Sequence, residues 1–476
     1  MDILAHAYDA DSFKTIGKEL MEMMALEMSK SQLGDGKVLE YRNPDDELDF
    51  WSKYSKTDAS KVFEDIYHRS IKLHHPNYIG HQVTLPLPLS SMATLLGAHL
   101  NNGMAVYEMG QAASALERYV IDQFKVYFGY GDESSGIMTS GGTIANITAL
   151  LCARNTKAGN NPWVNGNQDK KFAFLVSEQA HYCIDRAVRI MGWGEQGMIK
   201  VPVDDNYKMR TDTLKEIYEE AISNGITVLG IVGSAPSTAT GQYDDLEAIG
   251  FFAQKHDLWY HIDAAHGGPA AFSSKYKHLM NGSGMADSIT VDGHKMMMAP
   301  ALTTMLFFKN HHESFNTFAQ SASYLFSEGD LDWSNLGKRT MECTKIMLSI
   351  RLYLPLQVYG MEIFESYVNR CYDLAREFYS LLLKRDGFEV AVQPDSNIIC
   401  FTLSDFDNDE MNNLRNEILN DGSFYIVKTI LKDRVYLRCS FMNPFTTREV
   451  MEALLTKLEH FKGFSNSTVS SVKSET

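Results

Sequence analysis

The sequence predicts an α/β protein: a mostly parallel sheet in a large domain, followed by a smaller α+β domain. Short apolar runs recur in the middle of the chain, at residues 172–176, 198–201, 227–232, 258–262, 288–291 and 303–308. Helical stretches such as 246–256 lie between several of them. Apolar strands alternating with amphipathic helices form parallel sheets covered on both faces. Beyond about residue 345 the pattern changes to long helices followed by clustered strands.

Taken in order, residues 1–75 read as helices and loops without strand character, an arm expected to pack on a partner. His75-Pro76 breaks helicity, and Leu85-Pro-Leu-Pro-Leu89 continues as extended chain. From Met109 a helix is predicted, with Leu116, Tyr119, Val120 and Phe124 spaced for one apolar face. The large domain is placed at 76–345 and the small one at 346–465. Within the latter, 347–359 and 362–385 read as helices and 397–403, 424–429 and 434–438 as strands. Thr446-Thr-Arg-Glu449 reads as a capping box opening a last helix, with Val450, Leu454, Leu458 and Phe461 on its buried side. The Ser/Thr-rich residues 466–476 are expected to be a disordered tail.

A length of 476 residues suggests two or three domains, and 44% apolar with 22% charged residues is an ordinary folded composition. The net charge of −16 argues against nucleic-acid or anionic-membrane partners, which need clustered Lys and Arg. An anionic cofactor needs only local donors and is not excluded. Six scattered cysteines (152, 183, 343, 371, 400 and 439), with no C-x-x-C pair, read as reduced, mostly buried thiols. The N-terminus lacks a basic start followed by an apolar core, so no signal peptide is expected. No run approaches the roughly 20 apolar residues of a membrane span. The cytoplasm is the expected compartment.

Two motifs carry the chemistry. His261-Ile-Asp-Ala-Ala-His-Gly-Gly268 places Asp263 at the end of one apolar strand; Ser288-Ile-Thr-Val-Asp-Gly-His-Lys295 places His294 and Lys295 after another. Ligands of parallel sheets bind beyond the carboxyl ends of strands, where both fall. An acid that keeps a ring nitrogen protonated and a lysine that bonds an aldehyde are what pyridoxal phosphate (PLP) requires. Lysine is nucleophilic when partly deprotonated, and Met296-Met-Met298 beside Lys295 fits the apolar surroundings that favour this. Ala264, Ala265, Gly267 and Gly268 are small, as expected where a flat ring lies near backbone. The rival reading is a metal held by His261, Asp263, His266 and His294, since alternate strand residues share a face. It leaves Lys295 and the next motif unexplained, so no metal is expected.

Thr139-Ser-Gly-Gly-Thr143 precedes a helical run, so glycine N–H groups and a helix N-terminus can meet a phosphate, with a hydroxyl from Thr143. By itself it is also a common turn-and-cap sequence, and it lacks the G-x-x-x-x-G-K-[ST] pattern of nucleotide-binding loops. His181, just beyond a strand, can stack on the ring face and contact a substrate carboxylate. Ser237-Thr-Ala-Thr-Gly241, after another strand, can offer a hydroxyl to the ring oxygen.

Ser-Gly-Gly-Thr, Ala-His, Asp-Ala-Ala and His-Lys, in this order, resemble the group II PLP-dependent amino-acid decarboxylases of the type I (aspartate aminotransferase-like) PLP fold. The match runs from about residue 75 to 447. The resemblance implies a seven-stranded large-domain sheet and a homodimer with active sites at the interface. It implies that Gly142, Thr143 and His294 hold the phosphate, with Asp292 near it at a position often Asn in the family. His181 would stack on the ring beside Thr238 and Ala265, Asp263 would pair with its nitrogen, and Lys295 would bind it covalently. Arg438, His81 and Gln82 would meet the substrate, and Asn443-Pro444 is closer to the glutamate and diaminobutyrate branch than to the aromatic one.

Two departures stand out. His266 occupies a position where an aromatic residue is common, and the stretch 326–336 is short where aromatic enzymes carry a loop tyrosine that reprotonates the substrate carbon. Tyr324 is nearby without an assigned role. The expected activity is decarboxylation of an L-amino acid to its amine. Aromatic-amino-acid decarboxylation, an aldehyde-forming or other PLP lyase, an aminotransferase and a catalytically inactive binding partner are the alternatives.

Overall fold

In the computed structural model, which describes residues 2–55, 58–315, 317–318 and 333–472, the apolar runs of the middle region become seven strands. They are β1 (Ser135–Thr139), β2 (Lys171–Ser177), β3 (Met198–Val201), β4 (Ile226–Ser234), β5 (Trp259–Asp263), β6 (Ser288–Asp292) and β7 (Thr304–Phe308). Their order is β1-β7-β6-β5-β4-β2-β3, and β7 runs antiparallel to both its neighbours. The other pairings are parallel. Side chains of β1, β6 and β7 are buried throughout, so these strands show no polar alternation.

Consecutive residues of β5 show how both faces are covered. Trp259 packs in the apolar cluster of the helix Gly142–Lys157, while the Tyr260 hydroxyl donates to Leu246 O of the helix Leu246–Lys255, at 2.8 Å. β1 had no counterpart among the apolar runs. Its Ser-Gly opening hides it, yet a side chain at Gly136 would sit 2.6 Å from Leu306 O and 2.9 Å from Ile121, so only glycine fits there. In the helix Gln111–Lys125, Val120, Ile121 and Phe124 are buried, but Tyr119 is exposed and does not join the predicted face.

The chain divides into two compact units. The larger comprises Gln82–Asp373 and Val392–Ile398 and holds the seven-stranded sheet. The other comprises Met1–His81, Leu374–Ala391 and Ile399–Thr476. This division differs from boundaries at 75 and 345: the helix Ile350–Tyr359 falls in the larger unit, and the N-terminal residues join the C-terminal ones.

Within the smaller unit, Ile398 excepted, lie β8 (Phe388–Val390), β9 (Ile398–Leu403), β10 (Val427–Leu431) and β11 (Arg434–Ser440), in the order β10-β11-β9-β8. Backbone bonds tie the N-terminal residues to this unit: Val38 N–H, in the expected arm, donates to Gly422 O, and just beyond the arm Ile79 N–H donates to Tyr425 O and Ser440 N–H to Ile79 O. The last helix, Arg448–Val472, extends into the segment expected as a disordered tail. Its cap also differs from the expected box: Val450 N–H donates to Thr447 Oγ1, while Thr446 Oγ1 donates to Pro76 O.

Candidate active site

Parallel strands that finish on one edge bring distant residues together. Register sets Ser234 opposite Asp263, Asp263 opposite Thr290, and Asp292 opposite Thr304. Beyond these ends lies a cavity of about 290 Å³. Gly142, Thr143, His181, Thr238, Asp263, Ala265, Asp292, His294 and Lys295 all line it, together with Asn146, Cys183 and His266. Every cofactor-binding residue proposed from sequence is in this group.

β1 delivers the glycine-rich turn. Gly141 has φ of 123°, which side chains disfavour, and a Cβ on Gly142 would stand 3.0 Å from Asp292 Oδ1. No side chain caps the helix that follows, so its first N–H groups are left for an anion. A buried ion pair braces the strand. Glu117 Oε1 accepts from Met138 N–H at 2.8 Å and from Lys345 Nζ at 2.6 Å, and Lys345 also donates to Met138 O at 2.5 Å.

Lys295 Nζ lies 3.0 Å from Asp292 Oδ2. Burial alone would lower the lysine pKa, but the Asp292 and Asp263 carboxylates outweigh it and hold the ammonium above its ordinary value. This corrects the expectation that apolar neighbours deprotonate Lys295. Met296, Met297 and Met298 are indeed buried, yet the acid three residues earlier decides the charge. Burial raises the Asp292 pKa, but Lys295, His294 and the Thr304 hydroxyl, 2.5 Å away, together bring it below the usual value. His294 Nδ1 sits 2.9 Å from Thr303 O and Nε2 3.6 Å from Asp292 Oδ2.

Asp263 is held from two sides: Ala265 N–H donates to Oδ1 at 3.2 Å and Asn146 Nδ2 to Oδ2 at 3.0 Å. Asn146, which sequence reasoning did not single out, is buried on the helix Gly142–Lys157 and also reaches His261 Nε2 at 2.9 Å. The other nitrogen of His261 meets Ser288 Oγ at 2.8 Å. Both ring nitrogens of His261 are thus engaged. Among the described residues no three His, Cys, Asp or Glu side chains are grouped to hold a metal.

His181 caps the helix Tyr182–Ile190, its Nδ1 accepting from Cys183 N–H at 3.3 Å. Burial lowers its pKa, so the ring is neutral at pH 7 and its proton sits on Nε2. Ser237 and Thr240 pair through their hydroxyls at 2.9 Å, while Thr238 lines the cavity. His266 Nε2 meets Asn397 Oδ1 at 2.7 Å, fixing the ring where an aromatic residue was expected.

The predicted substrate residues are divided between the units: Gln82 belongs to the larger, His81 and Arg438 to the smaller. Arg438 lies on β11, 6% exposed. Tyr78 stacks on Tyr425 at 5.4 Å, and the His81 ring tilts against Tyr425 at 5.8 Å. Gly80 is required here, since any Cβ would collide with the Tyr425 ring. Tyr324 and residues 326–332 lie outside the described residues.

The residues present fit PLP: an uncapped glycine-rich helix start for a phosphate, a doubly held carboxylate, a lysine in the same cavity, and the small Ala265 beside them. Such a site at the carboxyl edge of this sheet defines the PLP-dependent enzymes of α/β architecture. Residues 56–404 match the pyridoxal-dependent decarboxylase conserved domain, and the chain belongs to that family. It is a PLP-dependent amino-acid decarboxylase.

Among its relatives, an aspartate 1-decarboxylase of Aliivibrio fischeri is 28% identical over 84% of this chain and 82% of its own length. An L-2,4-diaminobutyrate decarboxylase of Acinetobacter baumannii is 26% identical, with the same two coverages. The crystal structure of mouse CSAD has the same fold, with a TM-score of 0.88, 21% identity, and coverage of 95% of this chain and 99% of that one.

Proposed function

We propose that the chain decarboxylates a short L-amino acid bearing a second acidic group, within the glutamate/diaminobutyrate branch. The observation that carries the catalytic part is the convergence of Lys295, Asp263 and His181 on one cavity. When bound, PLP supplies an electron sink for the charge left at Cα as carbon dioxide departs. Lys295 would hold the cofactor covalently, and Asp263 would keep a proton on its ring nitrogen. His181 would face the ring and offer its Nε2–H to the substrate carboxylate. Gly142, Thr143 and His294 would donate to the phosphate, Thr238 would offer its hydroxyl, and Ala265 would leave room for the ring. Asp292 balances the charge of Lys295.

Support for an acidic substrate comes from two sides. Relatives include the aspartate 1-decarboxylase and a human acidic amino acid decarboxylase, 26% identical over 77% of this chain. Within the smaller unit, burial and then Arg438 and Arg415 lower the His81 pKa, which marks a cationic neighbourhood suited to a carboxylate. We assign Arg438 and His81 to substrate binding on this basis, and Gln82 because it follows His81 in the chain.

We also propose a homodimer in a reducing, cytoplasmic setting. Met92, Leu95 and Leu96 on the helix Pro88–Leu100 are each at least 50% exposed, an apolar face suited to a second copy. All six cysteines are free thiols, and no described helix is long and apolar enough to cross a membrane.

The test is carbon dioxide release from a panel of L-amino acids by PLP-loaded protein. Aspartate, glutamate or cysteine sulfinate should exceed 2,4-diaminobutyrate and the aromatic amino acids at least about tenfold in kcat/KM, a factor worth ~1.4 kcal/mol. A preference for a diamino or aromatic substrate contradicts the acidic assignment.

A further inference from the structure

Five side chains, running from the cavity wall inward, form one continuous hydrogen-bonded line. Trp259 Nε1 lies 2.9 Å from Ser288 Oγ, Ser288 Oγ 2.8 Å from His261 Nδ1, His261 Nε2 2.9 Å from Asn146 Oδ1, and Asn146 Nδ2 3.0 Å from Asp263 Oδ2. Trp259, Ser288, His261 and Asn146 are each no more than 1% exposed. Bulk water does not reach these four side chains.

Chemistry fixes the direction of every proton in the line. A carboxylate accepts only, so the amide NH2 of Asn146 must face Asp263 and its oxygen must face His261. His261 then carries its proton on Nε2. Burial pushes the ring pKa down to about 4, so the imidazole is neutral and Nδ1 is an acceptor. The Ser288 hydroxyl donates to it, and its own oxygen accepts from the indole N–H of Trp259, which can only donate. The second amide hydrogen of Asn146 meets Cys183 Sγ at 3.1 Å. Turning the amide over would set oxygen against carboxylate and N–H against N–H.

We propose that Asn146, oriented by neutral His261, is a positioning residue that aims the Asp263 carboxylate at the ring nitrogen of PLP. This rests on the assignment of Asp263 to that nitrogen and adds the element that fixes its direction. Ala265 N–H holds Oδ1 from the same strand-end turn, so Asn146 is the hold that comes from a separate element. The line also explains His261: it carries no charge and does no chemistry, but prevents the amide from turning.

The experiment compares binding of PLP and of 1-deaza-PLP, which lacks the ring nitrogen, to the apo form of the full-length protein. Wild type should prefer PLP by at least about tenfold, and Asp263→Ala should abolish the preference. Asn146→Ala and His261→Phe should each reduce the preference at least about threefold by weakening PLP binding while leaving the analogue's affinity unchanged. Loss of affinity for both ligands alike, or full retention of the preference in Asn146→Ala, overturns the proposal. Should Asn146→Ala fail to fold, His261→Phe, which frees the amide to turn, takes its place with the same two outcomes. If Asp263→Ala keeps the preference, the assignment of Asp263 itself falls, an outcome distinct from failure of the Asn146 hold.

Discussion

Lys295 and Asp292, three residues apart, form an ion pair of 3.0 Å at the carboxyl end of β6. The lysine that must capture an aldehyde is thus held as an ammonium by an acid from its own turn. Capture requires a proton to leave Lys295, and Asp292 opposes that loss. Asp292→Asn removes the carboxylate that most raises the lysine pKa. The rate of PLP capture by the apoprotein, followed against pH, should therefore rise at lower pH in the variant. A profile identical to that of wild type contradicts this role.

His261 makes stability depend on pH. Burial depresses its pKa from 6.5 to about 4, so between these values the unfolded chain binds a proton that the folded chain does not. Its contribution is complete above pH 6.5 and is lost as pH falls toward 4. At ~1.4 kcal/mol per unit, the loss approaches about 3 kcal/mol. Denaturant unfolding of the apoprotein between pH 7 and about 5 should show a weaker pH dependence in His261→Gln, whose side chain does not titrate. Equal slopes would rule His261 out as the source.

The Glu117–Lys345 pair, with side chains 1% and 3% exposed, braces the strand that carries the phosphate loop. Lys345→Met strands a buried carboxylate and should cost about 3–5 kcal/mol in denaturant unfolding. Replacing both residues, Glu117→Gln with Lys345→Met, should recover part of that loss. A double variant as unstable as the sum of two single losses contradicts the pairing.

Gly142→Ala puts a methyl group 3.0 Å from Asp292 Oδ1 in the helix turn assigned to the phosphate. PLP affinity should fall at least about tenfold, ~1.4 kcal/mol, while the unfolding midpoint of the apoprotein changes little. Unaltered affinity would move the phosphate elsewhere.

Strands β2 to β7 were legible from short segments rich in apolar residues, placed to within a residue or two. β1 and β8 were not: one opens with Ser-Gly, and the other is a three-residue strand whose Phe388 and Val390 are only half-buried. Asp263 and Lys295 could be read because their chemistry is written into adjacent residues. The Lys295 charge was not legible in the methionines that follow it, because Asp292, three residues before it, holds the ammonium. Asn146 was invisible for a different reason. Its partners Asp263 and His261 lie 117 and 115 residues away, and only strand order brings them to its helix.

The central claim is that Lys295 carries the cofactor. Borohydride reduction of the PLP-loaded protein, followed by mass spectrometry of its peptides, tests it most directly. A single pyridoxyl adduct on Lys295, absent from Lys295→Ala, is the expected result. An adduct on another lysine, or a Lys295→Ala variant that decarboxylates as wild type does, would contradict the account.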